Sequence, residues 1–428
     1  MQSAPERPLG TVAATALVVA SMIGTGIFTT SGYLSGLLGS PLAVLAVWVV
    51  GGLLALCGAA VYAELGAMMP RAGGEYVYLS RAFGPATGFL SGWISLVVGF
   101  AAPIAASAYA FGAYVHAVAP AVPPVWAAVA LVAAMTALHM VDVTWGARVQ
   151  TALSAFKVLI IVAFVTAAAL VGDGDTANLV EPPLTGGAEE LAVALVLVSF
   201  AYSGWNAAAY VAGELREPAR SLPRSLLLGT GAVLALYVAL NLAFFYGAGS
   251  VALAASPEDV GDVAARALFG DAGAGFSVAI ALALVSSVSA MVFAGPRVYL
   301  AMAQDGLLFG ALARRNVRGA PWASVALQGA LATALILTTT FEDLLTWIGF
   351  TLSVFAALTV LGAFVLRLRD PAARPYRAMG WPLTPLLFLG LSVWMVIFSV
   401  RARPEIALAG GATLAAGLIV YLVRRRLW

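Results

Sequence analysis

Apolar residues run along the chain in blocks long enough to cross a bilayer, which takes about 17–25 residues of helix. Such blocks lie near 11–36, 42–69, 84–117, 123–141, 146–172, 189–213, 222–248, 273–304, 322–339, 342–367, 382–402 and 405–424. Short polar stretches separate them. The pattern predicts an all-α polytopic membrane protein with twelve transmembrane helices. Two blocks interrupt their own pattern. In "VVASMIGTGIFTTSGYL", residues 18–34, Gly24, Thr25 and Gly26 sit together near the middle of the first span. In "VSFAYSGWNAAAYVAGE", residues 198–214, Ser203, Gly204 and Asn206 do the same in the sixth.

Composition agrees with the pattern. Of the 428 residues, 62% are hydrophobic and 10% charged, against roughly 25% charged in a soluble domain. The first block is too long for the apolar core of a cleaved signal peptide, and no clean small-residue cleavage site follows it, so it is expected to remain as the first span. Charge placement predicts the orientation. With the N-terminal segment 1–10 inside, seventeen of the 22 basic residues fall on the cytoplasmic side, most of them in the loops 70–83, 214–224, 305–320 and 368–381 and in the tail "RRRLW". The loops "DGDTANLVEPPLTGGAEE" and "SPEDVGDVAARALFGDAG" on the other side are acidic. Lys and Arg set topology, so both termini are expected in the cytoplasm. Arg401 and Arg403, just before Pro404, run against the rule.

A patch of glycine and hydroxyls inside a span has two explanations. Small residues let neighbouring helices approach closely, or the helix comes apart there. Placement bears on the choice. Spans 1–5 (11–172) and spans 6–10 (189–367), joined by 173–188, form two units of five. Five is odd, so the second unit enters from the opposite face, and each unit has its interruption in its first helix. Matched interruptions in two inverted halves point to a transporter's binding site. Unwinding frees N–H groups at one half-helix end and carbonyls at the other, and these need partners inside the bilayer. A zwitterion supplies both, its carboxylate on the N–H donors and its ammonium on the carbonyls.

"MIGTGIF" resembles the first-helix motif of the amino acid–polyamine–organocation (APC) superfamily. "YAELGAMMPRAGGEYVYLSRAFGP" (62–85) is similar to the second-helix signature of its amino acid permeases. "FAYSGWN" (200–206) with "GELREPARSLPRS" resembles the sixth helix of the L-type amino acid transporters and their bacterial relatives. "FAGPRVYLAMAQDGLL" (293–308) and "RLRDPAARPYR" (367–377) extend the likeness along nearly the whole chain. The resemblance implies a leucine-transporter-like 5+5 inverted repeat with discontinuous helices 1 and 6, followed by two C-terminal helices in 382–428. It implies a substrate site at Met22, Ile23, Gly24, Thr25, Gly26, Ile27, Phe200, Ala201, Ser203 and Gly204. Thr25, Gly26 and Ile27 would hold the carboxylate, and the carbonyls of Met22, Phe200, Ala201 and Ser203 the ammonium. The Phe200 ring would close over the substrate, with Trp205 and Asn206 in support. Many L-type members have a glycine where this chain has Ser203, which narrows the pocket.

Lys157, in "TALSAFKVLIIVAF", is the only lysine. It lies about eleven residues, or roughly 16 Å, into its span, near the middle of a hydrocarbon layer about 30 Å thick. An ammonium there costs about 2.5–3.5 kcal/mol on insertion scales and needs a partner. One account is a structural lysine donating to a carbonyl between helices. The resemblance implies another: some sodium-independent permeases carry a helix-5 lysine in place of the sodium ion that bridges helices 1 and 8 in sodium-driven relatives. On that account Lys157 takes part in coupling, with a proton that could come and go, and Ser286, Ser287 and Ser289 are its candidate neighbours.

The other polar residues suggest little chemistry. His116 and His139 lie near span ends and are expected at the interface. Glu64 is expected to bind a loop arginine, Arg297 to contact cytoplasmic loops, and Asp142, Arg148 and Arg216 through Arg224 to act as gate or topology charges. No acidic residue lies mid-span in helices 1, 3, 6, 8 or 10, so the pocket suits a neutral amino acid. A cationic or broad-specificity amino acid or amine permease is the alternative, and a non-transporting amino acid sensor would share the pocket. A membrane enzyme would need a nucleophile with its base or a metal cluster, and a channel would need a pore loop or ring of charges; the sequence offers neither set. No metal, cofactor or nucleic acid partner is expected beyond the amino acid substrate and the lipid bilayer. Cys57, the single cysteine, reads as a small packing residue and allows no intrachain disulfide. Eukaryotic L-type proteins bind a glycoprotein heavy chain through an external cysteine; "HAVAPAVPPV" has none, so no heavy-chain subunit is expected, and the oligomeric state stays open. Arg over Lys and abundant Ala suggest a bacterial source and hence the inner (plasma) membrane.

Overall fold

The computed structural model describes residues 9–427 apart from 72, 142, 181 and 371–373. Among them the regular structure is helical, and extended chain pairs only in an isolated parallel bridge of Leu9 with Leu215. The first expected span is two helices, α1 (Thr11–Met22) and α2 (Gly26–Leu38), which meet at a 41° bend. Next comes α3 (Pro41–Met68). The Ser40 side chain caps it by accepting from the Ala43 N–H at 3.4 Å, and Pro41 stands in the first turn, where an N–H would have no helical partner.

The expected loop 70–83 contains a short amphipathic helix, α4 (Glu75–Phe83). Span 3 is α5 (Pro85–Ile94), a π-helical stretch Ser95–Ala101 and α6 (Ala102–Val118). Pro103 accounts for the π stretch: it has no N–H for the ladder and its ring crowds the preceding turn. Spans 4 and 5 are α7 (Pro124–Val141) and α8 (Val143–Val171). Span 6 stops early. α9 (Ala188–Ala201) is followed by a turn, then one turn of helix, α10 (Ala207–Tyr210), and a 3-10 turn Ala212–Glu214.

The second half continues with α11 (Pro218–Ala255) and with α12 (Val260–Phe269), an amphipathic helix within the acidic stretch expected as loop. α13 (Ala274–Ala294) and α14 (Pro296–Gln304) share span 8. α15 (Trp322–Thr338) and α16 (Phe341–Arg369) follow, the latter capped by the Thr340 side chain on the Asp343 N–H at 3.2 Å. α17 (Leu383–Ala402) and α18 (Pro404–Leu427) complete the chain. Among the described residues eight helices are long and apolar enough to cross a membrane, and the bent pair α1–α2 makes a ninth. The remaining expected spans are α9, the Ala155–Val171 part of α8, and α15, each shorter than those eight.

α11 lies along α3, α1 and α2, while α13 lies along α6 and α8 and touches α1. The two broken segments are therefore wrapped by helices from both halves. α17 and α18 sit at the side and expose Leu386, Val393, Ile397, Leu408 and Ile419, an apolar surface suited to lipid.

Ion pairs hold the two ends. At the end carrying α4, buried Glu64 meets Arg367 and Arg374, the latter at 3.0 Å, and accepts the Ala378 N–H at 2.7 Å. Its expected arginine partnership is thus present. Arg71 pairs with Asp305 at 2.7 Å, and the Tyr76 hydroxyl donates to the same carboxylate at 2.8 Å. At the opposite end Arg403 pairs with Glu342, and the Arg401 guanidinium stands 5.5 Å from the Phe398 ring centroid. The two arginines that run against the charge rule both have local partners.

Candidate functional site

Ending a helix frees its last carbonyls, and side chains from three other helices meet those of α1. Ile23 is extended, with ψ 94°. The Tyr237 hydroxyl of α11 donates to the Met22 carbonyl at 2.6 Å. Lys157 of α8 donates from Nζ to the carbonyls of Ala20, at 3.3 Å, and Ile23, and to Ser287 Oγ of α13 at 3.0 Å. Three acceptors are what the three N–H donors of one ammonium can serve. Lys157 is wholly buried, so this tripod ties α8, α13 and the end of α1 at one point. The Thr25 hydroxyl donates to Ser107 Oγ of α6 at 2.6 Å.

The second break faces the first. After Ala201 the chain turns through Tyr202–Asn206, with the Ser203 N–H on the Phe200 carbonyl at 2.9 Å. Gly204 has φ 96°, in the left-handed region that glycine enters without strain. A Cβ there would also come within 2.6 Å of the Ser21 carbonyl. Gly26 likewise lies against Ala201, whose Cα and Cβ a side chain at residue 26 would strike. The Ala201 carbonyl is a second acceptor for Tyr237, at 3.1 Å. Close packing and unwinding therefore occur together: each helix comes apart where its small residues let the other touch it.

Met22, Ile23, Thr25, Gly26, Ile27, Phe200 and Ala201 are buried, and Gly24, Ser203 and Gly204 half-buried, all at this crossing. Trp205 stands edge-on to Tyr62, centroids 4.6 Å apart. The Asn206 amide donates to Glu75 Oε1 at 3.1 Å and to the Tyr210 hydroxyl at 3.3 Å. Of the candidate serines it is Ser287, rather than Ser286 or Ser289, that meets Lys157. Ser289 Oγ bonds His139 Nε2 at 2.9 Å, and Ser286 Oγ has no hydrogen-bond partner among the described residues.

Two expectations need correction. His139 is buried, 3% exposed, because α13 crosses α7 there and supplies Ser289; His116, by contrast, is exposed and bonds the Val122 carbonyl at 3.0 Å. Arg297 turns back on its own chain, donating to the Phe293 carbonyl with its guanidinium over the Phe293 ring, instead of reaching a loop. Asp142 and the Arg148 side chain lie outside the described residues. Sequence reasoning missed Tyr237; the available signal was a tyrosine and Asn241 one turn apart in an apolar run. Among the described residues no three His, Cys, Asp or Glu side chains group as metal ligands.

A cavity of about 180 Å³ opens beside α2 at the end where Arg403 meets Glu342, and another of about 530 Å³ beside α4 at the opposite end. Neither is lined by residues 22–27 or 200–206. In this closed arrangement neither cavity reaches the crossing.

A fold of apolar spans built around two opposed helix breaks is that of a membrane carrier. The model of the amino acid permease family matches residues 9–422, and the chain belongs to that family. It is 30% identical over 442 residues to the mouse (Mus musculus) large neutral amino acids transporter small subunit 2, covering 98% of this chain and 81% of the relative. It is 27% identical to the human b(0,+)-type amino acid transporter 1, over 93% of this chain and 84% of the relative. To the serine/threonine exchanger SteT of Bacillus subtilis it is 27% identical, covering 91% and 90%.

Proposed function

We propose that this chain is a sodium-independent secondary transporter that moves neutral L-amino acids by alternating access, as an exchanger or proton-coupled carrier. The observation that carries this reading is the Lys157 ammonium on the Ala20 and Ile23 carbonyls and Ser287. A cation fixed to the protein stands where a bound ion would otherwise bridge the first break to α13. The substrate carboxylate would lie on the N–H groups that open at Thr25, Gly26 and Ile27. Its ammonium would displace the Tyr237 hydroxyl from the Met22 and Ala201 carbonyls, with Phe200 closing over it. No acidic side chain is among the residues of the two breaks, which favours neutral substrates, and the names of the mouse and Bacillus subtilis relatives agree with that class.

The frame proposed is twelve spans in a leucine-transporter-like 5+5 inverted repeat, 11–172 and 189–367, with α17 and α18 added. The location proposed is the inner (plasma) membrane of a bacterium with both termini cytoplasmic, supported by the arginine-rich end that carries α4. The small-subunit name of the mouse relative raises the prospect of a partner subunit. Against it, Cys57 is the only cysteine and lies half-buried in α3, leaving no loop thiol for a covalent link. We propose that the chain works without a heavy chain.

Uptake of radiolabelled neutral amino acids into sodium-free proteoliposomes, empty or preloaded with unlabelled alanine, tests the reading. Uptake by the purified chain alone supports it. Uptake restricted to cationic amino acids would overturn the substrate class, and binding with no uptake under any gradient would favour a sensor.

A further inference from the structure

Three acidic side chains are buried among the described residues, and two of them have arginine partners: Glu64 with Arg367 and Arg374, Asp262 with Arg266 at 2.7 Å. Glu75 has none. It is 7% exposed, at the start of α4, and within the described residues no basic side chain forms an ion pair with it. Its hydrogen-bond partners are neutral: the Tyr62 hydroxyl of α3 donates to Oε1 at 2.6 Å, and the Asn206 amide, at the second break, donates to the same oxygen at 3.1 Å. Two neutral donors thus stand where each of the other two buried carboxyls has a guanidinium.

The surrounding charges are engaged elsewhere. On α4 itself Arg81 leans toward Asp370 at 3.8 Å, and Arg71 in the preceding loop holds Asp305. From α16, Arg367 is on Glu64 and Arg369 donates to the Ala82 carbonyl at 2.9 Å. The segments α5 and α10 contain no charged residue. The remaining titratable neighbours are phenols: Tyr62, Tyr210, and Tyr78, whose ring meets that of Tyr62 at 5.9 Å. Burial raises the Glu75 carboxyl above the usual carboxylate range, and the bonds from Tyr62 and Asn206 oppose this only in part.

We propose that Glu75 is a proton-binding site of the carrier, protonated in the closed arrangement described and releasing its proton when Asn206 and the second break move. The proposal rests on the transport reading above and deepens it by naming the co-transported ion. Asn206 is the mechanical link: it belongs to the turn that must rearrange for Ala201 and Gly204 to leave the first break. When it withdraws, Oε1 loses a donor and the site opens beside the 530 Å³ cavity at the α4 end, which Tyr76 lines. A proton bound only in one state shifts the equilibrium between states by its differential affinity. No electrons move; the O–H bond of the carboxyl forms and breaks with water. Glu75 is then the acid that titrates, while Lys157 ties the end of α1 to α8 and α13.

The experiment uses the full chain in sodium-free proteoliposomes with radiolabelled alanine, serine and leucine. Exchange is read with preloaded vesicles at equal pH on both sides, and accumulation with empty vesicles under an inward proton gradient. Wild type is expected to do both, whereas Glu75→Gln, which keeps the shape and an acceptor for Tyr62, should exchange but accumulate no more than protein-free vesicles. Accumulation by Glu75→Gln at the wild-type level overturns the proposal, as does wild-type exchange with no gradient-driven accumulation. Absence of both exchange and accumulation by wild type would instead overturn the transport reading and the proposal with it. Tyr62→Phe guards against a folding defect in Glu75→Gln. Removing a donor that favours the ionised form should move the pH midpoint of accumulation up by about one unit, and an unmoved midpoint overturns the proposal.

Discussion

The Tyr237 hydroxyl reaches the Met22 carbonyl at 2.6 Å while standing 3.1 Å from the Ala201 carbonyl. One proton cannot satisfy both. The shorter contact holds it, so the Ala201 carbonyl is the under-satisfied acceptor at the crossing of the two breaks. Tyr237→Phe would leave both carbonyls without this donor, at about 0.5–1.5 kcal/mol for the lost bond, a two- to tenfold effect. Exchange should slow by that factor with expression unchanged. Kinetics identical to wild type would mean that the hydroxyl only fills space.

Lys157→Ala removes the ammonium that serves Ala20, Ile23 and Ser287, and leaves the Ile23 carbonyl only the 3.4 Å contact from the Ser287 hydroxyl. Buried acceptors left unpaired cost about 1–3 kcal/mol each, and the first break loses its link to α13. Transport should fall by more than about tenfold, while membrane insertion and yield are retained. Undiminished uptake would return the lysine to the status of a structural tether.

Gly26 has no room for a side chain. Gly26→Ala should lower thermal stability by about 1–3 kcal/mol, the ordinary cost of overpacking, because the obstacle is the Ala201 backbone rather than a movable side chain. A bulkier Gly26→Leu should abolish amino acid binding in a thermal-shift titration. Normal ligand-induced stabilisation of that variant would place the substrate away from the first break.

Glu64→Gln breaks an ion cluster that joins α3, the end of α16 and the segment around Ala378. The Arg374 side chain is 7% exposed, and stranding a buried charge costs about 3–5 kcal/mol. A large drop in melting temperature is expected, with transport per folded molecule unchanged. A silent substitution would show that Arg374 finds water there.

Stability should also follow pH through Glu75. Its pKa is raised in the folded protein, so the folded state binds more protons than the unfolded state between the two values, and stability falls as pH rises through that window. Melting curves of detergent-solubilised wild type should show this decline and Glu75→Gln should flatten it. Parallel pH profiles for the two would mean that the carboxyl is ionised in both states.

Much of the architecture was legible because lipid makes apolar length informative: most blocks from 42–69 onward correspond to helical segments within a few residues, the exceptions being 189–213, whose helix ends at Ala201, and 222–248, whose helix runs on to Ala255. The breaks were legible too, since glycine and hydroxyls in an apolar run carry a local signal. What stayed hidden depends on tertiary partners. Nothing local says that Tyr237 turns toward the breaks, that Ser287 rather than its neighbours meets Lys157, or that α13 covers His139. The π stretch at Ser95–Ala101 follows from Pro103, a residue common enough in membrane helices to pass unnoticed. α4 and α12 were missed because short amphipathic helices look like loop when apolar length is the criterion.

The contact between Gly26 and Ala201 limits how this chain can drift. Neither position can gain volume unless both helices shift, so the floor of the crossing is closed to gradual substitution. Ser203, half-buried at the same crossing, is not closed in this way, and with the Phe200 ring it is where variation is expected. Descendants of this sequence that acquire a taste for larger or smaller amino acids should therefore record the change at those positions, and leave the glycine and the alanine as they are.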